Sequence, residues 1–194
     1  MVPQFSPAYL SSLVVKPIRY FFEHYAPEDL LWNVDEKKTM IEIDTINNFN
    51  KIPVQSRPRI LISRGQYSIS PTGLSDNLAQ GIGAFGGKGL RDQTNLVMLQ
   101  GVVQVMVSCR NEGTTEKVID LLQHFIAWTG PMIANSQGFK NFAQAVNVSP
   151  CTPSREDTEL FTCTMNLPWS KEEAFKVSDK ESVKIKNFII SITS

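Results

Sequence analysis

LVMLQGVVQVMVSC (Leu96–Cys109), RNEG (Arg110–Gly113) and TTEKVIDLLQHFIAWTGP (Thr114–Pro131) join one strand pattern to one helix pattern. In the first segment Val97, Leu99, Gly101, Val103, Val105, Val107 and Cys109 share a face, while Gln100, Gln104 and Ser108 interrupt the other. A period of two describes a half-buried strand. Thr114 is then expected to cap a helix with Glu116 in its first turn, where a carboxylate suits the exposed amides. Val118, Ile119, Leu121, Leu122, Phe125, Ile126 and Trp128 follow at helical spacing. Gly130 followed by Pro131 predicts an end near Thr129. A strand of about fourteen residues exceeds the usual five or six, so one end is expected to project beyond the sheet or pair with another chain.

The flanks extend this β-α unit. Ser6-Pro7 is a cap and first-turn pair, and Leu10, Leu13, Val14, Ile18, Phe21, Phe22 and Tyr25 predict a helix over 7–25, kinked at Pro17. Residues 26–38 read as a connector anchored by Trp32. Thr39–Ile46 alternates, Ile41 and Ile43 against Glu42 and Asp44, and a second strand over 57–63 continues through Tyr67 and Ile69. After the central helix, residues 135–142 form a connector pinned by Phe139 and Phe142, and a short strand spans 144–149. Phe161, Cys163, Met165 and Leu167 share a face of a strand that Pro168 and Trp169 are expected to end. A last strand or arm is expected over 183–193. The class is α+β: a mainly antiparallel sheet on one central helix, with an additional N-terminal helix and long loop arms.

The chain has 194 residues, 42% of them hydrophobic, which predicts a single domain over 1–194, with 1–38 as an N-terminal helical extension. Nineteen basic and nineteen acidic residues cancel, unlike the positive field of a nonspecific duplex binder. The opening MVPQFSPAYL has no basic leader and no apolar run reaches membrane-spanning length, so a soluble protein without a membrane partner is expected. Cys109, Cys151 and Cys163 lie in or near apolar strand patterns and read as reduced structural thiols. His24 and His124 have no Cys or His at ligand spacing, so no metal site is expected. Glu42 and Asp44 resemble a catalytic carboxylate pair only in sharing a strand face, and a solvated face is the expected role.

Residues 71–95 hold six glycines without a sustained period and read as a loop arm. Gly81, Gly83 and Gly86 match the letters of a dinucleotide fingerprint, but no strand precedes them and no helix follows. Gly86-Gly87-Lys88-Gly89 is not a phosphate loop, because Ile82 stands where the first glycine is needed and no Ser or Thr follows Lys88. No cofactor and no catalytic residue is therefore assigned. Ile82, Phe85, Lys88, Leu90 and Arg91 combine apolar and basic groups in a mobile setting, the composition of an interface segment that orders on a neighbouring subunit.

The order of N-terminal helix, paired strands, long loop, long strand, helix and hairpin resembles the tail-terminator and neck proteins of tailed bacteriophages. The residues that carry the resemblance are GVVQVMVSCRNEGTTEKVIDLLQHFIAW (Gly101–Trp128) and FTCTMNLPW (Phe161–Trp169). It implies a non-enzymatic virion protein, assembled in the host cytoplasm, that forms a homo-oligomeric ring, commonly a hexamer. Such a ring caps the tail tube, joins it to the neck as part of the head-tail connector, and lets DNA pass transiently. A neutral chain suits that passage, since a strongly basic lumen would hold phosphates. Alternatives are another tail or baseplate structural protein, a standalone peptide-binding module, or a small nucleotide-binding enzyme using the glycine-rich loop, which nucleotide-dependent thermal stabilisation would reveal.

Overall fold

The computed structural model describes residues 7–45, 57–71, 93–154 and 159–177. In chain order they form helix α1 (Pro7–His24), a 3-10 turn (Glu28–Leu30), strands β1 (Glu42–Thr45), β2 (Arg59–Pro71) and β3 (Gln93–Cys109), and helix α2 (Glu112–Gln137). The short strands β4 (Asn141–Phe142), β5 (Asn147–Val148) and β6 (Thr152–Pro153) precede the long β7 (Phe161–Val177). The described strands make one sheet in the order β1-β2-β3-β7-β4, with β5 and β6 also on β7. β4, β5 and β6 run antiparallel to β7, whereas β1 and β2 pair in parallel with Ile43 opposite Ile60. The class is α+β with a mixed sheet. Parallel pairing needs a crossover of about a dozen residues, and the chain between Thr45 and Arg59 is that long.

Two compact units divide the chain: 5–67 with 100–170, and 1–4 with 68–99 and 171–194. The first contains both helices, β1 and the short strands; β2, β3 and β7 each run from it into the second. Within the first unit α1 packs on β1 at one end of the strand order, α2 packs on β4 at the other, and the helices touch each other. Leu10, Val14, Ile18 and Phe22 form the fully buried stripe of α1, each four residues from the last. Val118, Leu122, Phe125 and Ile126 make the buried face of α2, and Phe21 stacks on Phe125 at 4.6 Å between ring centroids. Val103, Val105 and Val107 on β3 and Cys163, Met165, Leu167 and Trp169 on β7 are buried, as alternation requires. No described helix is long and apolar enough to cross a membrane.

The ends of α2 differ from expectation. Asn111, not Thr114, caps it, its Oδ1 accepting the Thr114 N–H at 3.0 Å, because Asn111 keeps extended backbone while Glu112 already begins the helix. The helix also runs through Gly130 and Pro131 to Gln137. Gly130 is buried where the Phe142 carbonyl and Ala143 approach, so it serves close packing. Pro131 offers no N–H to the Ala127 carbonyl, but both residues are exposed and water can take that carbonyl. Gly138, at φ 66°, makes the left-handed cap instead, with its N–H on the Ala134 carbonyl. Trp128, placed in the apolar pattern, is 73% exposed.

Pro168 and Trp169 do not end β7, which continues to Val177. The Pro168 carbonyl still accepts the Ala143 N–H, and Trp169 pairs with Phe142, so the proline costs the ladder only the donor it lacks. Residues 71 and 93–95 at the ends of the expected loop arm belong to β2 and β3, which are sheet neighbours and extend their strands that far. The rest of that segment, with Ile82, Phe85, Lys88, Leu90 and Arg91, and the arm over 183–193 lie outside the described residues.

Candidate functional site

Even-numbered positions of β3 face away from the buried valines, and Gln104 among them is exposed with Val102 half-buried. β2 contributes Arg64, Gly65, Gln66 and Tyr67 beside them, β5 contributes Asn147, and β7 contributes Asn166. Together these line a groove of about 910 Å³ in the first unit. Asn147 and Asn166 are directly opposed across the β5–β7 ladder. The Arg64 guanidinium lies 5.2 Å from the Tyr67 ring centroid, a cation over an aromatic face. Asn166 Oδ1 is buried and accepts no hydrogen bond among the described residues. A buried acceptor of this kind gains from a donor brought by whatever occupies the groove.

Two glycines let the strands close beneath it. A Cβ on Gly65 would stand 2.8 Å from the Val102 carbonyl oxygen, and one on Gly101 would stand 2.7 Å from both the Gln66 oxygen and the Tyr67 Cβ. The Trp169 ring is a further 3.0 Å neighbour of Gly101. Gly101→Val is therefore expected to destabilise the protein by about 1–3 kcal/mol through overpacking, read as a lower urea midpoint. Gly113→Ala is the control, since its Cβ meets only the Asn111 side chain at 3.4 Å. It is expected to change stability by less than about 1 kcal/mol. Equal midpoints for the two variants would show that the strands do not approach this closely.

Gln66, Gln104, Asn147 and Asn166 give the groove four side-chain amides, each able to donate and accept, and Arg64 adds one cation. The expected interface residues Ile82, Phe85, Lys88, Leu90 and Arg91 lie outside the described residues. In the sequence Gln104 shows only as a polar break in β3, and nothing local marks Arg64, Asn147 and Asn166 as neighbours.

Glu42 and Asp44 are not a free carboxylate pair. Glu42 Oε2 meets the buried Arg59 at 2.6 Å, and Asp44 lies 3.7 Å from Arg19. Arg19 also donates to the Ile43 carbonyl at 2.7 and 3.1 Å and lies 5.2 Å from the Trp32 ring, tying α1 to β1. Glu42 thus ties β1 to β2, while Asp44 stays partly exposed beside Arg19. Among the described residues no three His, Cys, Asp or Glu side chains come together as a metal site. His24 and His124 each contact a carbonyl one turn back in their own helix, Tyr20 and Asp120. Lys117 hydrogen-bonds Asp29 at 2.8 Å and holds that exposed carboxyl below its ordinary pKa.

No protein-family model matches the chain. A search of curated proteins likewise finds no match.

Proposed function

We propose that this chain is a structural virion protein that forms a homo-oligomeric ring at the head-proximal end of a phage tail, ends the tail tube there and joins it to the neck. The observation that supports this reading is the length of β2, β3 and β7, at 13, 17 and 17 residues. Strands usually span about five or six residues, and these continue out of the helix-bearing unit into another. Long strands give a neighbouring subunit many backbone groups to pair without a special side-chain motif. The amide groove on the sheet suits the same use, an extended segment of an adjacent copy being a ladder of donors and acceptors. Exposed apolar groups on the helices or just beyond them, Tyr9, Tyr20, Tyr25, Trp128 and Met132, offer further contact area.

Light scattering on the purified protein tests the reading. A mass several times the 21.8 kDa of one chain, with rings in electron micrographs, is the expected result. A monodisperse monomer that stays monomeric with tail-tube protein would overturn it. Replacing residues 82–90 by a short neutral linker is expected to leave melting unchanged and weaken ring formation or tube attachment. Equal assembly of that variant would remove the loop from the interface while leaving the ring intact.

A further inference from the structure

Cys151 and Cys163 stand twelve positions apart in the sequence, yet the sheet sets them face to face. β6 pairs Thr152 with Thr162 and Pro153 with Phe161, so the next antiparallel position places Cys151 opposite Cys163. Ser154 donates its N–H to Leu160 at 2.6 Å, which marks that pair as hydrogen-bonded. Counting back by alternation, Thr152 with Thr162 is hydrogen-bonded and Cys151 with Cys163 is not. Non-hydrogen-bonded partners have Cα atoms about 4.5 Å apart and side chains on one face, inside the span a disulfide bridges.

The register adds a second feature. β5 pairs Asn147 with Asn166 and Val148 with Met165, and Ser149 donates to Thr164, so one extra residue enters before Cys151. That is a bulge, centred on Pro150, and it bends the strand around the Cys163 side chain. Cys163 Sγ donates to the Ser149 carbonyl at 2.8 Å and lies against the Cys151 thiol. Cys163 is buried and Cys151 half-buried, while Cys109 sits at the end of β3. All three are free thiols in this structure.

We propose that Cys151 and Cys163 form a cross-strand dithiol, a modification site that closes to an intramolecular disulfide when the protein meets a small-molecule disulfide. Cys151 reacts first because solvent reaches it. Its thiolate attacks one sulfur of the oxidant, forming a mixed disulfide and releasing one thiolate. Cys163 then loses its proton to solvent, gives up its bond to Ser149 and attacks the Cys151 sulfur, which expels the second thiolate. The two protons lost by the cysteines end on the two reduced oxidant molecules, and the protein is oxidised by two electrons. The bond clamps β6 to β7 beside the bulge. The site therefore acts as a latent staple, open where thiols are kept reduced and closed in an oxidising setting.

The test uses the full-length native protein with oxidised glutathione at about pH 9 and prolonged exposure, because only a small fraction of Cys151 is thiolate there. The expected product is lighter by about 2 Da, the mass of two hydrogens, with thiols counted after denaturation falling from three to one. Trypsin cleaves after Arg155, so the two cysteines fall in separate peptides, 141–155 and 156–171, which are expected to be joined until reduced. Cys109→Ser should give the same linked pair, and Cys151→Ser should give none. A stable glutathione adduct on Cys151 with Cys163 still free, a link to Cys109, or three free thiols after prolonged exposure would each overturn the proposal.

Discussion

Phe125→Ala is expected to lower the stability of the protein by about 3–5 kcal/mol, the range for removing a large aromatic side chain from a core. Phe125 is 9% exposed and stacks on Phe21 at 27° between ring planes, so its loss removes apolar burial and the principal aromatic contact between α1 and α2. An offset pair of this kind is worth about 0.5–1.5 kcal/mol beyond its buried area. The cavity would open where the two helices meet, and neither can collapse freely into it. α1 is held to β1 by Arg19, and α2 is held at its far end by Phe139 against Phe142 and Trp169. Urea unfolding of the wild type, Phe125→Ala, Phe21→Ala and the double variant measures the effect. The two single losses should sum to more than the double loss, the signature of a shared contact. A single loss under about half a kcal/mol would mean that this face of α2 is not in the core.

The parts of the fold legible in the sequence are those where period and chemistry agree. Val103, Val105 and Val107 alternate without a break, and all three are fully buried. The stripe Leu10, Val14, Ile18 and Phe22 places α1 with its residue bounds nearly complete. Boundaries failed where a residue has two uses. Gly130 and Pro131 read together as a stop, yet Gly130 serves a close approach to Phe142, and the actual stop is Gly138 with its positive φ. A local pattern cannot tell a glycine that turns the chain from one that admits a neighbour. Asn111 and Thr114 are both residue types that cap helices, and the extended backbone at Asn111 is what makes it the cap.

The groove was less legible because its members are scattered. Arg64 and Asn166 lie about a hundred residues apart in sequence, and only the strand order β2-β3-β7 makes them neighbours. The parallel β1–β2 pair was hidden for the same reason: strand pattern gives the faces of a strand and not the direction of its partner. By contrast, the sequence marks all three cysteines simply as reduced structural thiols. Their pairing needed the registers of β5 and β6 to be compared, a difference of one residue that no periodicity reveals.

Alkylation of Cys151 in the native protein is expected to run roughly a thousandfold slower at about pH 8 than that of an ordinary exposed cysteine. Burial, the adjoining Cys163 thiol, and the carboxylates of Glu116 and Glu112 push its pKa up from 9.0 to about 12. The reactive species is the thiolate, and each unit of increase lowers its fraction about tenfold below the pKa. Iodoacetamide labelling followed by peptide mass spectrometry reads the rate at Cys151, and the same measurement in denaturant should restore ordinary reactivity. Desolvation is the largest cause and the Cys163 thiol the next, with the two carboxylates behind. Cys163→Ala should therefore accelerate labelling more than Glu116→Gln does. The sign of the pH dependence follows from the same shift. The unfolded chain ionises this thiol near pH 9 and the folded chain only near 12, so its contribution to stability is complete below about pH 9 and falls as pH rises toward 12. Cys151→Ser removes that ionisation, and its melting temperature should decline less between neutral and alkaline pH than that of the wild type. Labelling of native Cys151 as fast as that of the denatured chain would show an accessible thiolate, and with it an open, solvated bulge between β5 and β6.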